Sequence, residues 1–185
     1  MTPLFRTLAA ALLLTGIVAA LIAGRVMLLA NGREIVVAAQ PVDPRDLFRG
    51  DYVALNYDFT SVTSPGLAED TAPTRDFNRY RDRTVYVVLK PDGAHYVFDY
   101  ASRVKPDVPA DRVVLRGEAT SSARTSATLR YGIEQYFVPE GHARAIEENL
   151  RDKRIDVVLA VAADGTAAIK ALRLDGQDIY REGLF

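Results

Sequence analysis

At 185 residues the chain has room for one membrane segment and a single domain of ordinary size. A formal net charge of −1, with no basic run anywhere, excludes the electrostatic footprint of a nucleic-acid-binding protein. The absence of Cys removes thiol catalysis, disulfides and thiolate metal sites together.

Residues 7–24, TLAAALLLTGIVAALIAG, form an uncharged apolar run. At about 1.5 Å per residue its roughly 18 residues nearly match a hydrocarbon core of about 30 Å. This predicts an uncleaved transmembrane helix over about residues 7–29, so that residues 1–30 are a membrane anchor and 31–185 the domain it carries. A cleaved signal peptide is the competing reading, with Val18-Ala19-Ala20 as a small-residue site. Arg6 on one flank is offset by Arg25 and Arg33 on the other, so flanking charge barely orients the segment. N-terminal anchors usually precede exported domains, which places the domain on the extracytoplasmic side of the membrane.

Glu34 to Ala39 is a short β-like run, and it leads into the most informative stretch, PVDPRDLFRGDYVALNYDF from Pro41 to Phe59. Asp43-Pro44 starts a turn, and Gly50 supplies a permissive backbone position ahead of residues with strong β preference. Beyond it Val53, Leu55, Tyr57 and Phe59 share one face of a strand, while Tyr52, Ala54, Asn56 and Asp58 share the other.

Residues Gly50-Asp51-Tyr52-Val53-Ala54-Leu55-Asn56-Tyr57 fit the GDYXXLXY pattern at every position, and the chain resembles the family named for it. PVDPRD upstream, YGIEQYFVPEG later and the closing hairpin with its LDG are similar to that family too. The resemblance implies a small bacterial membrane-anchored protein of the kind encoded beside polytopic membrane proteins. It supplies no catalytic residue.

From Ser61 to Arg81 periodicity is lost and Pro, Ser, Thr and charges gather, which predicts a long surface loop whose Arg and Asp residues neutralise one another. Thr84 to Ser102 reads as a hairpin turning at Pro91-Asp92-Gly93, with Val85, Val87 and Leu89 on one face. His95, just after the turn, reads as solvated. Val113 to Glu118 is a strand, Thr120 to Thr128 a Ser/Thr-rich link, and Leu129 to Val138 a second strand on which Tyr131, Ile133, Gln135 and Phe137 share a face. HARAIEENLRD, from His142, is the one soluble helix, with Ala143, Ile146 and Leu150 as its apolar stripe. Ile155, Val157, Leu159 and Val161 alternate inward on a strand that turns at Asp164-Gly165, and a return strand ends at a last turn, Asp175-Gly176. The expected fold is therefore mainly β: seven to nine antiparallel strands in a barrel-like or two-sheet domain with one short helix, preceded by the transmembrane helix.

No G-x-S-x-G, P-loop or H-E-x-x-H pattern is present, and His95 and His142 stand alone, so neither a cofactor nor a metal is expected. LFRGDYVAL resembles the Gly-Asp turn after the nucleophile of membrane signal peptidases, yet residues 40–49 hold no Ser and no Lys base follows in a suitable strand. An alternative enzyme, an envelope hydrolase acting on glycosidic bonds, would draw a carboxylate pair from Asp51, Glu134 and Glu140. The preferred reading is non-enzymatic: docking onto a polytopic integral-membrane partner, or an envelope ligand, through the GDYVALNY strand. Arg45, Arg49, Asp51 and Tyr52 would form the polar contact, with Gly50 shaping the turn, Leu55 and Tyr57 packed beneath, and Glu134 and Glu140 in the neighbouring motifs.

Overall fold

The first helix, α1, spans Pro3–Asn31 and carries its apolar residues bare, with Leu12, Leu13, Leu21 and Ile22 all exposed. The segment Leu4–Asn31 is long and apolar enough to cross a membrane. This computed structural model describes residues 3–42, 52–63, 84–122, 126–137, 155–174 and 176–181. The helix expected from His142 and the charged part of the loop after Ser61 lie outside them.

Only Gly32 separates α1 from the first strand, β1 (Arg33–Val42). The amide of Gly32 donates to the Leu28 carbonyl at 2.8 Å, so the last helical turn closes on the residue that begins the sheet. Leu29 is buried there, and the helix end packs on β9 (Ile155–Val161) and β10 (Ala167–Leu174). A Cβ at position 32 would come 2.5 Å from the Leu28 carbonyl oxygen and 3.0 Å from both the Ala160 side chain and the Val161 amide nitrogen. Glycine is what this closeness admits.

Eleven strands among the described residues make two antiparallel sheets, more strands than the seven to nine expected because several are only three to five residues long. The first sheet has the order β11-β10-β9-β1-β2-β8, with β2 at Tyr52–Tyr57, β8 at Gln135–Phe137 and β11 at Gln177–Arg181. The second has the order β3-β7-β6-β4-β5, with β3 at Ser61–Thr63, β4 at Thr84–Asp92, β5 at His95–Ser102, β6 at Val113–Ser122 and β7 at Ser126–Arg130. β1 changes partner along its length, pairing β9 from Arg33 to Ala39 and β2 from Ala39 to Val42. Pro41, which lacks an amide proton, falls beyond the last residue that β9 pairs.

One core lies between the sheets, built from Ile35 and Val37 of β1, Val87 and Leu89 of β4, Leu115 of β6 and Val157 and Leu159 of β9. Every strand face predicted from alternation on β4 and β9 is buried. Val158 and Ala160 are buried as well, so β9 is covered on both sides, as a central strand bearing a helix requires.

Three segment boundaries differ from the sequence reading, each because a tertiary pairing overrides local composition. Ser61 to Thr63 is strand rather than loop, since it pairs with Ser126 to Thr128. The Ser/Thr-rich link is a hairpin: β6 runs on to Ser122 and β7 begins at Ser126. The strand expected from Leu129 to Val138 is two strands in two different sheets. His95, expected in solvent, is half-buried with its Nε2 2.8 Å from Asp156 Oδ1 on β9, a contact joining the two sheets.

Candidate functional site

The chain passes between the sheets at two neighbouring places, from β2 to β3 and from β7 to β8. The two passages run antiparallel and stay bonded around the bend. On the first sheet Tyr52 pairs with Phe137 and Ala54 with Gln135; at the corner the Leu55 amide donates to the Glu134 carbonyl at 2.8 Å. The Leu129 amide then donates to the Thr60 carbonyl at 2.8 Å, and Ser61 pairs with Thr128 on the second sheet. Residues 52–63 and 126–137 are thus one two-stranded ribbon folded across the domain, the usual way a sheet turns a corner.

Local chemistry sets the bend. Gly132 has φ +81°, a conformation that L side chains rarely adopt. The Glu134 carboxylate accepts the amide of Tyr131 on one oxygen and that of Gly132, at 3.0 Å, on the other. Opposite, the Thr60 amide donates to the Tyr57 carbonyl at 3.0 Å and closes the turn after β2.

Two buried tyrosines lace the passages together. Tyr57 donates its hydroxyl to the Ile133 carbonyl at 2.7 Å, and Tyr131 donates to the Phe59 carbonyl at 2.8 Å. Phe59 stacks on Tyr57 with ring centroids 5.1 Å apart and meets the Tyr131 ring edge-on at 5.3 Å. Burial first, and the nearby Glu134 charge second, push both phenols well above their usual range, so the rings stay protonated and keep donating.

The predicted site residues divide accordingly. Leu55 and Tyr57 are buried at 4% and 2% exposure, packed beneath the surface as expected. On the opposite face of β2, Asn56 is exposed, as is Asp58 in the turn beyond it, while Ala54 is half-buried. Tyr52 opens β2. Glu134, a candidate for the carboxylate pair and part of a neighbouring motif, is a turn-holding acceptor. Arg45, Arg49, Gly50, Asp51 and Glu140 lie outside the described residues. Phe59, Tyr131 and Ile133 complete the corner; alternation places them on strand faces but not in the site, although a Gly two residues before Glu134 is a turn signal inside an otherwise β-like run. Among the described residues no group of three His, Asp or Glu is placed to hold a metal ion.

The face parity of the second passage also changes at the corner. Tyr131 and Ile133 point inward, but beyond Glu134 it is Tyr136 that is buried and Gln135 that is exposed. One irregular residue in the bend reverses which side faces the core.

Comparison with known proteins matches residues 14–172 to the family model described as GDYXXLXY protein. No curated protein and no solved structure gives a significant match.

Proposed function

The chain belongs to the GDYXXLXY family, and from that premise we propose that it is a non-enzymatic, membrane-anchored domain of the bacterial cell envelope that docks onto a polytopic membrane partner. α1 serves as the uncleaved anchor, and the domain stands on the extracytoplasmic side. The β2 end of the first sheet is the contact. The observation carrying this reading is the division of labour on β2: Leu55 and Tyr57 are spent in the core and the corner, while Asn56 and, in the turn beyond, Asp58 are exposed. Next to them, among the described residues, the sheet order ends on β8, three residues long. A sheet edge accepts an added strand from a partner, with side chains at alternate positions selecting it, and the shortness of β8 confines such pairing to a few residues. Arg45, Arg49, Asp51 and Tyr52 precede this strand or open it and supply the polar part of the contact.

The carboxylate-pair alternative draws nothing from Glu134, whose two oxygens already hold the backbone of the bend. Site-specific photo-crosslinking in intact membranes tests the docking reading, with the photoreactive residue at Tyr52 or Asn56 and, as control, at Lys90 on the far hairpin. Docking predicts a discrete adduct of one partner from positions 52 and 56 and none from position 90. Equal labelling from all three, or from none, would overturn it and leave the motif as a folding element.

A further inference from the structure

A cleft of about 750 Å³ lies where α1 meets the domain. One wall is the last two turns of α1, with Gly24, Met27 and Leu28; the other is the segment between β5 and β6, with Lys105, Pro106 and Val108. From Leu4 to Gly24 the helix rises about 30 Å, one hydrocarbon thickness. When α1 spans the bilayer, the cleft therefore opens at headgroup level, next to Arg25.

Side chains hold the outer wall in place. Arg33 donates to the carbonyls of Ala110 at 2.6 Å and Arg112 at 2.9 Å through one guanidinium nitrogen, and to the Tyr96 hydroxyl at 2.9 Å and the Asp111 carbonyl at 3.2 Å through the other. Ser102 donates to the Val104 carbonyl at 2.7 Å at the segment's start. Lys105 reaches across to the Ala163 carbonyl at 2.6 Å, which uses one of its three protons. Of the three cations lining the cleft, Arg33 is occupied by these carbonyls and Arg112 is paired with Asp99, against a single lining carboxylate, Asp107. Lys105, which gives one proton to the Ala163 carbonyl, is the remaining cation of the lining. Met27 and Val104, at 63% and 68% exposure, bring apolar surface to the same level.

We propose that this cleft holds an anionic phospholipid of the surrounding leaflet. Its phosphate would lie against the Lys105 ammonium and its glycerol and ester groups along Met27 and Leu28, with the acyl chains running down beside α1. The arrangement pairs an apolar helix wall with a basic rim at the depth where the ester and phosphate groups of a bilayer lie. The inference rests on α1 being the uncleaved anchor.

The chain has no Trp, so a single introduced indole reports one position. Full-length protein carrying Met27→Trp, or Leu14→Trp as a mid-helix control, is placed in nanodiscs in which anionic or zwitterionic phospholipid carries brominated chains, and indole quenching gives the relative affinity of the two lipids at each site. Anionic lipid is expected to be favoured about fivefold at position 27 relative to position 14. Lys105→Gln, added to the position 27 reporter and checked for unchanged β-sheet circular dichroism, should bring the ratio back to the position 14 value. Inorganic phosphate in millimolar excess should leave it unchanged. Equal ratios at 27 and 14, a ratio indifferent to Lys105→Gln, or relief by free phosphate each overturn the lipid site while leaving the anchor intact. Absence of quenching at position 14 overturns the anchor and the lipid site together.

Discussion

Tyr57 shows what the last letter of the motif does. Its ring is core and its hydroxyl points inward as well, ending on the Ile133 carbonyl. Tyr57→Phe keeps the packing but leaves that buried carbonyl without its donor, a loss of about 1–3 kcal/mol. Leu55→Ala empties a site in the core and costs about 2–5 kcal/mol, so the two substitutions rank in that order in a denaturant titration. The same phenols set an alkaline limit. A folded-state pKa raised by burial means the folded protein keeps a proton that the unfolded chain releases above pH about 10. Stability is therefore whole below that pH and falls above it, by up to about 1.4 kcal/mol per pH unit for each of Tyr57 and Tyr131. Replacing both by Phe should flatten the alkaline limb of the unfolding profile while lowering the plateau near neutral pH.

At the scale of elements, the joint between α1 and β1 governs how the β domain stands on the helix. One residue connects them, and the helix end is packed against β9 and β10, so helix and sheet are joined by packing as well as by the chain. Gly32→Ala would drive a methyl group into the Leu28 carbonyl and the β9 backbone. The expected result is a loss of about 1–3 kcal/mol, as for overpacked cores. A spin label on Met27 would lose its immobilisation in the variant, since the last helical turn must lift away. An unchanged spectrum and an unchanged unfolding midpoint would mean that the helix end contributes little to the fold.

For the whole molecule, the packed joint carries any orientation of α1 to both the proposed β2 contact and the junction cleft. With the domain outside, protease added to spheroplasts should degrade everything beyond α1 and leave a membrane-protected fragment near the amino terminus; an intact domain would put both surfaces on the cytoplasmic side. The two surfaces belong to different parts of the domain, one at the end of the first sheet marked by β8 and the other where that sheet meets the helix. A membrane partner and a bound lipid need not compete.

The sequence by itself determined the apolar helix, the β character of the domain and the inward faces of β2, β4 and β9. Periodicity of two or an unbroken apolar run is a direct record of which environment each side chain must meet. Leu55 and Tyr57 were legible as core for that reason. What only the tertiary structure decided was where strands end and which sheet they join. Leu129 to Val138 carries β propensity throughout, and its break at Tyr131 to Glu134 comes from the ribbon having to turn a corner with its partner. The pairing of His95 with Asp156, and the meeting of Lys105 with α1, join residues far apart in the chain. No local pattern encodes such contacts, because they arise from the order in which the strands assemble around the shared core.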